Sequence, residues 1–326
     1  MEAKTRKKRQ RRLEKAFVAA AAVSLSVMLF GTLTYAAVAG GNSLAGRMGW
    51  GVEEAFPLQD ARLPVQTVLT DAHIAFTAAG ENGDIDYSTA AAGYVMVRCE
   101  SPRPAKLIME KDGNSLVQHL FADGEYHAYP LTMGDGHYDV RIGLHDEADR
   151  YDRMVQASFT AGIEEPFTRF LLPTWLAPFD EEKELAQTAR SLYVETGGGR
   201  EFADAVFEYV CGSIRYDKTL RDLPGPRLPD AGTAIATGRG ICTDFASALA
   251  TMLRSCGVPC QIIYGDIETD FGPRYHAWNL VWLEDETGGA WWRYDATNGV
   301  GAVKAGGLDD AYGGVQSGYG EPREIH

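Results

Sequence analysis

The spacing of apolar residues changes near residue 163, and this change constrains the fold more than any other feature of the sequence. Before it, apolar and polar residues alternate in short runs such as GYVMVR (93–98), AKLIME (105–110) and HYDVRIGL (137–144). Alternation of this kind is typical of half-buried strands. Asp112-Gly113 predicts a tight hairpin, and MGDGHY (133–138) predicts a second turn. Regular short strands separated by turns predict a β-sandwich-like domain over residues 62–162.

After residue 163 the pattern becomes helical and then returns to strands. Three helices are predicted, over 181–195, over 201–214 and within GRGICTDFASALATMLRSCGVP (238–259). Asp180 is the expected N-cap of the first helix, and Gly257 with Pro259 ends the third. Strands are predicted at 261–265, 276–283 and 290–295. Residues 163–298 therefore form a second domain, and the Gly-rich, weakly patterned residues 299–326 are expected to be a loose tail.

The first 61 residues carry a different signal. Residues 1–16 contain eight basic and two acidic side chains, and the 23 residues that follow, 17–39, contain no charge. An uncharged run of about 20 residues is long enough to cross a bilayer as a helix, and the flanking basic residues favour the cytoplasm. We therefore predict a single-pass signal-anchor with everything after the linker 40–61 outside the cytoplasm. The alternative is a signal peptide cleaved after Ala39, which would give a secreted protein.

The charge balance excludes one class of partner. The chain of 326 residues has 31 Lys and Arg against 45 Asp and Glu, which is a net charge of −14. Removing the basic residues 1–16 leaves −20 on the remainder. Because a nucleic-acid-binding protein needs a basic face to neutralise phosphates, we expect no nucleic-acid partner.

The placement of Cys242 suggests a reactive thiol. It directly follows Gly-Arg-Gly-Ile and opens the third predicted helix, where the helix amides favour a thiolate over a thiol. His276 begins one predicted strand and Asp295 ends the next, so antiparallel pairing would bring imidazole and carboxylate together. A base oriented by a third group is the arrangement that activates a thiol. Cys242, His276 and Asp295 are the predicted catalytic residues.

The stretches GRGICTDFASALATMLRSCGVP and YHAWNLVWLEDETGGAWWRYDATN resemble the core of the transglutaminase-like superfamily. The resemblance is firm over about 235–298 and looser back to about 165. It implies a papain-like α+β core, with helices packed on an antiparallel sheet, that carries a Cys-His-Asp triad in this chain order. By match, Cys242, His276 and Asp295 take those roles. The family's usual Asp-Pro is here Asp295-Ala296, which changes the turn and leaves the carboxylate.

Two aromatic residues are secondary candidates. The hydroxyl of Tyr216 could donate a hydrogen bond in an oxyanion site, since family members often keep an aromatic residue at this position. The alternative is that Tyr216 packs at the end of a helix. Trp278 is expected to pack beside the triad and exclude water, with a substrate contact as the alternative. For the hydrogen bond to the oxyanion, the backbone N–H of Cys242 is a stronger candidate than the hydroxyl of Tyr216.

The remaining motifs predict no cofactor and no metal. The histidines of the β-rich region match no zinc spacing, and Gly238-x-Gly240 leads no dinucleotide-binding unit. Cys99, Cys211, Cys242, Cys256 and Cys260 are an odd number, so at least one thiol is unpaired in a monomer, although export would permit disulfides.

The combined prediction is a membrane-anchored extracytoplasmic thiol enzyme that acts on amide bonds of proteins or peptides through an acyl-enzyme. Either hydrolysis, as in a cysteine peptidase or amidase, or acyl transfer to an amine, as in cross-linking, would complete the reaction. The triad is shared by both outcomes and does not distinguish them. The alternative from a different class is a catalytically inactive surface binding module.

Overall fold

The computed structural model describes residues 73–78, 81–145, 151–179, 182–224, 227–285, 288–306 and 318–326. The predicted basic segment 1–16, membrane span 17–39 and linker 40–61 lie outside these ranges. No helix within the described ranges is both long and apolar enough to cross a membrane. All of the described residues belong to one compact unit, Leu58–His326.

The first half of the described chain is two four-stranded antiparallel sheets. Its strands are β1 (His73–Ala78), β2 (Glu81–Asp86), β3 (Tyr94–Glu100), β4 (Ala105–Lys111), β5 (Asn114–Leu120), β6 (Asp123–Pro130), β7 (Gly136–His145) and β8 (Tyr151–Ala161). The strand orders are β1-β2-β3-β6 and β5-β4-β7-β8. Both sheets therefore follow the predicted runs of alternating residues.

The two sheets share one apolar core, as expected for a sandwich. Val95 and Val97 of β3 pack in the same buried cluster as Leu107 and Met109 of β4. Along β3 and β4, buried residues alternate with partly exposed ones. This period of two lets each sheet bury one face against the other.

The predicted hairpin at Asp112-Gly113 joins β4 to β5. Both residues have positive φ angles, 52° and 80°, and Lys111 pairs with Asn114 across the turn. Two left-handed residues in a two-residue loop match the right-handed twist of the flanking strands, which is why Asp-Gly is favoured there.

The second half contains the helices α1 (Lys183–Thr196), α2 (Gly199–Ser213), α3 (Lys218–Arg221), α4 (Ala231–Thr237) and α5 (Cys242–Ser255). Asp180, the expected cap of the first helix, lies outside the described residues; the helix begins at Lys183 and its N-cap residue is Glu182. Gly197, in the left-handed conformation with φ 81°, ends α1. The short helices α3 and α4 were not predicted, since both lie where Pro and Gly weaken the helical pattern.

A five-stranded antiparallel sheet packs beside these helices. It is formed by β11 (Cys260–Ile267), β12 (Arg274–Asp285), β13 (Gly288–Asp295), β14 (Val300–Gly306) and β15 (Tyr319–Ile325), in the order β14-β13-β12-β11-β15. Leu249 and Leu253 of α5 are fully buried in one core cluster with Ile262 and Val281 of the sheet. A mixed core of helices on an antiparallel sheet is therefore present.

The expectation of a loose tail over 299–326 is wrong where the structure describes that range. β14 pairs with β13 and forms one edge of the sheet, and β15 pairs with β11 and forms the other edge. The sequence pattern did not predict these two strands, because the range is rich in glycine and a glycine adds no side chain to the alternating pattern. The partner of β15 is far away in sequence, so local pattern alone does not report that pairing.

Buried polar contacts fix the end of β15. Thr132 of the sandwich donates its hydroxyl proton to the carbonyl oxygen of Ile325 at 2.6 Å. Arg254, 1% exposed, donates to the carbonyl oxygens of Cys260, Leu172 and His326. Burial lowers the pKa of this guanidinium to about 10. The same buried cation therefore ties α5, β11 and the residue after β15 together.

Candidate active site

Cys242 is the first residue of α5, as predicted. Ile241 before it is extended, with φ −114° and ψ 177°, so the helix starts abruptly at the cysteine. The first four N–H groups of a helix have no acceptor within the helix, and their positive ends concentrate at this point. The thiol of Cys242 therefore lies where a negative charge on sulfur is stabilised.

Asp244 holds the start of α5 in place. Its fully buried carboxylate accepts hydrogen bonds from the backbone N–H of Ile241 at 2.7 Å and of Asp230 at 3.0 Å. Arg227 donates from Nη1 to both carboxylate oxygens at 2.8 and 2.9 Å. Sequence reasoning missed Asp244, although an acidic residue at the third helical position is a recognised capping signal.

The Gly-Arg-Gly stretch before the cysteine has a separate role for each residue. Gly238 ends α4 with φ 67°, and Gly240 has no room for a side chain because a Cβ would lie 3.0 Å from Cβ of Asp244. Arg239 donates from Nε to Asp217 at 2.6 Å. The residues Arg239–Gly240 also form β10, which pairs with β9 (Arg215–Tyr216). These three residues thus fix the conformation of the chain directly before α5.

His276 and Asp295 are hydrogen-bonded as the sequence suggested. They lie on the neighbouring antiparallel strands β12 and β13, near the paired residues Asn279 and Tyr294. Nε2 of His276 is 2.8 Å from Oδ2 of Asp295, and both side chains are buried. Because Nε2 is engaged with the carboxylate, Nδ1 is the ring nitrogen that remains for Cys242.

The protonation of His276 is set by its two partners. Burial alone would lower the pKa of its imidazole, but hydrogen bonds to Asp295 and Cys242 outweigh burial and raise the pKa to about 9. The ring is therefore an imidazolium at neutral pH, positioned between a carboxylate and a thiol. An imidazolium next to sulfur is the group that stabilises a thiolate.

Asp295 is kept ionised by several donors although none of its side chain is exposed. Burial alone would raise its pKa, but the hydrogen bonds and charge of its neighbours lower the pKa below its ordinary value. Besides His276, the side chain of Asn298 donates to Oδ2 at 2.8 Å and the hydroxyl of Tyr319 donates to it at 2.6 Å. The backbone N–H of Asn298 donates to Oδ1, so the turn after Asp295 closes without the family's proline.

Trp278 lies against this group of residues. Its ring stacks on His276 with an interplanar angle of 23° and meets Tyr319 edge-on, and only 4% of it is exposed. The expected packing role of Trp278 agrees with this placement. A direct contact with a large substrate is difficult for a side chain so deeply buried.

Tyr216 lies on β9, which pairs with β10 two residues before Cys242, and 39% of the residue is exposed. Partial burial raises the pKa of Tyr216, and a negative charge on Cys242 raises it further. The hydroxyl therefore remains a proton donor near the sulfur. This placement keeps Tyr216 as a candidate for the oxyanion site.

The other cysteines are in different environments. All five cysteines are free thiols, and burial raises the pKa of Cys99 to about 11 and of Cys260 to about 12. Burial also raises the pKa of Cys256, at the other end of α5. Cys242 is the one that contacts an imidazole. Among the described residues no group of three or more His, Cys, Asp or Glu side chains is arranged to hold a metal ion.

Comparisons with known proteins give a family for this region. Residues 186–296, which include Cys242, His276 and Asp295, match the model of the transglutaminase-like superfamily. Over 66 residues the chain is 41% identical to an uncharacterised protein of Mycobacterium leprae. That match spans 19% of this chain and 23% of the length of the relative.

Three solved structures are similar to this chain at low identity. A proposed cysteine protease from Cytophaga hutchinsonii is 16% identical with a TM-score of 0.35, and 79% of each chain is covered. The periplasmic domain of TgpA from Pseudomonas aeruginosa is 15% identical with a TM-score of 0.32, covering 69% of this chain and 72% of that one. Red sea bream transglutaminase is 12% identical with a TM-score of 0.28, covering 64% and 49%.

Proposed function

We propose that this chain, whose residues 186–296 match the model of the transglutaminase-like superfamily, is a thiol enzyme that acts on amide bonds of proteins or peptides. The observation that carries the proposal is the contact chain from Cys242 through His276 to Asp295. A nucleophile, a base and a group that orients the base are the three components of covalent acyl transfer. Cys242, which is partly buried, and His276 and Asp295, which are buried, are the candidates for these three components.

The first half-reaction follows from the protonation of the pair. The sulfur of Cys242, as thiolate, attacks the carbonyl carbon of the amide, and the negative charge moves to the carbonyl oxygen. Backbone N–H groups at the start of α5, with Tyr216 as a candidate second donor, would stabilise that oxyanion. His276 then gives its Nδ1 proton to the departing nitrogen, the C–N bond breaks, and a thioester remains on Cys242.

The second half-reaction restores the enzyme. Neutral His276 accepts a proton from water or from an amine while that molecule attacks the thioester, and the C–S bond breaks to release thiolate. Water gives hydrolysis, and an amine gives a new amide bond. Throughout, Asp295 stabilises the imidazolium and holds the ring so that Nδ1 faces the sulfur.

The proposed location is outside the cytoplasm, either anchored in the cell membrane or secreted. It is supported by the eight basic residues in 1–16 and the uncharged residues 17–39. A protein at that location would encounter proteins or peptides of the cell surface as substrates.

A direct test uses casein as a general amide substrate with the fluorescent amine dansylcadaverine. We expect the full chain in detergent either to attach the amine to casein or to release new peptides or ammonia, depending on which nucleophile resolves the thioester. Cys242→Ala should abolish either reaction, whereas Cys256→Ala at the other end of α5 should retain it. Absence of any Cys242-dependent reaction, together with alkylation of Cys242 no faster than that of Cys99, would favour the inactive binding module.

A further inference from the structure

Tyr319 reaches the buried carboxylate of Asp295 from a strand that the catalytic residues do not share. Tyr319 is the first residue of β15, the edge strand next to β11, whereas Asp295 is the last residue of β13. The phenol oxygen is 2.6 Å from Oδ2 of Asp295, which is the same oxygen that His276 contacts at 2.8 Å. The side-chain amide of Asn298 also donates to this oxygen, at 2.8 Å, so one carboxylate oxygen is shared among the imidazole, the phenol and an amide.

The ring of Tyr319 is fixed on two sides. The guanidinium of Arg293 lies 3.8 Å from its centroid, and Trp278 meets it edge-on with centroids 5.1 Å apart. Arg293 is 7% exposed, and its Nε and Nη1 atoms have no hydrogen-bond partner among the residues that the structure describes. A buried cation whose donors lack acceptors gains from the electron-rich face of the ring. The phenol is thus held in one orientation, with its hydroxyl directed to Asp295.

We propose that Tyr319 is a positioning residue of this site, whose hydroxyl competes with His276 for Oδ2 of Asp295 and so limits how tightly the carboxylate holds the imidazolium. The inference rests on the proposed thiol chemistry. A carboxylate that accepts a second strong hydrogen bond is a weaker acceptor for the first. His276 must give up a proton to the leaving nitrogen, so an imidazolium held too tightly would be a poor acid.

The sign of the effect follows from the groups that surround Asp295. The titratable and charged groups facing it are His276 from β12, Tyr319 from β15 and Arg293 from its own strand, with Cys242 beyond the imidazole. Removing the hydroxyl of Tyr319 leaves His276 and the neutral amide of Asn298 as the partners of a more basic oxygen. The pKa of His276, already raised to about 9, should then rise further.

The test measures the alkylation rate of Cys242 by iodoacetamide between pH 4 and 10.5, on the full chain in detergent with mass-spectrometric detection. In a thiolate–imidazolium pair the alkylation rate changes twice with pH, first where the thiolate forms and again at higher pH where the imidazolium loses its proton. The second change is the upper inflection of the profile. In Tyr319→Phe we expect that inflection to move to higher pH by about 0.5 to 1 unit. Tyr294→Phe is the matched control, because its buried hydroxyl donates to Asp204 at 2.8 Å and not to Asp295.

An inflection that stays unchanged or falls in Tyr319→Phe, or that moves equally in Tyr294→Phe, would overturn the inference. If Tyr319→Phe does not fold, 3,5-difluorotyrosine at position 319 keeps the ring and makes the phenol a stronger donor, so the inflection should move to lower pH. An unchanged or higher inflection in that protein would also overturn it. Failure of the proposed function is distinguishable, since Cys242 of the unaltered chain would then react no faster than Cys256.

Discussion

The carboxylate of Asp244 accepts a hydrogen bond at 2.7 Å from the backbone N–H of Ile241, the residue before the candidate nucleophile. Arg227 binds the same carboxylate from the loop between α3 and α4. A buried group outside the triad thus determines where α5 begins. The position of the sulfur depends on this pair as much as on the helix itself.

Asp244→Ala should destabilise the protein and slow alkylation of Cys242. The change removes the cap of α5 and leaves a mostly buried Arg227 without its carboxylate, so we expect the free energy of unfolding to fall by about 2–4 kcal/mol. Urea denaturation measures this loss. Asp222→Ala is the control, because its ion pair with Arg221 is on the surface and should matter little. Equal losses in the two variants would contradict the role given to Asp244.

Asp295→Asn should preserve the fold and abolish most of the activity. The amide can still accept the surrounding hydrogen bonds at one atom, but it carries no charge to stabilise the imidazolium and favours the wrong tautomer of His276. We expect turnover to fall by about 100-fold or more. Circular dichroism checks the fold, and the casein assay checks turnover. A folded variant with nearly unchanged turnover would remove Asp295 from the catalytic group.

Cys242 should be the most reactive thiol of the protein at pH 6.5. It adjoins an imidazolium and the start of α5, whereas burial raises the pKa of Cys256 and Cys260. We expect Cys242 to be alkylated by iodoacetamide at least about tenfold faster than those two thiols. In His276→Ala the advantage should shrink, because the cation that stabilises the thiolate is lost. Equal rates for all three thiols would mean that the placement of Cys242 is structural.

The contribution of His276 to stability should fall as pH rises through the range in which this residue titrates. Its pKa is raised in the folded state, from an ordinary 6.5 to about 9, so the folded protein holds that proton more tightly than the unfolded chain. The contribution is fully present below about pH 6.5 and is lost as pH approaches 9. It amounts to about 3 kcal/mol. Urea titrations at pH 6, 7.5 and 9 should show this slope in Cys242→Ser, where no thiol titration opposes it, and a shallower one in the double variant Cys242→Ser with His276→Gln. Equal slopes of the free energy of unfolding against pH, with and without the change at His276, would argue against a protonated His276.

The full chain should sediment with membranes, and a chain that begins at about residue 42 should fold and remain in solution. The reason is that residues 17–39 are uncharged and preceded by basic residues. Ultracentrifugation after a carbonate wash distinguishes an inserted chain from an adsorbed one. Recovery of the full, uncleaved chain in the cytoplasmic fraction would contradict the predicted topology.

The sequence predicted those parts of the molecule that depend on neighbours along the chain. The hairpin at Asp112-Gly113 follows from local backbone preferences, and the approach of His276 to Asp295 follows from two strands joined by a short turn. Tyr319 could not be found in this way. It lies 24 residues after Asp295, on a strand whose pairing with β11 depends on the assembled sheet.

The start of α1 differs from the prediction for a related reason. An aspartate before an apolar stripe predicts an N-cap, but α1 begins after Glu182, whose side chain makes no capping hydrogen bond, so local capping preference does not set the start of this helix. Asp244 was missed for the opposite reason. Its signal, an acidic residue two positions after the cysteine, was present in the sequence, yet the residue is explained only when Arg227 and Asp230 are seen to contact it.

The hydrogen bond between Thr132 and Ile325 joins residues that are 193 positions apart, and this separation has a consequence for the order of folding. Contacts between such distant segments form slowly, because a long loop must close before they stabilise anything. The sandwich and α5 can therefore assemble while β15 is still undocked. Since β15 carries Tyr319, we expect the last donor to Asp295 to arrive at the end of folding. A chain that is still emerging or crossing a membrane would hold its thiol and imidazole without their complete support, and would gain full activity only when the strand has docked.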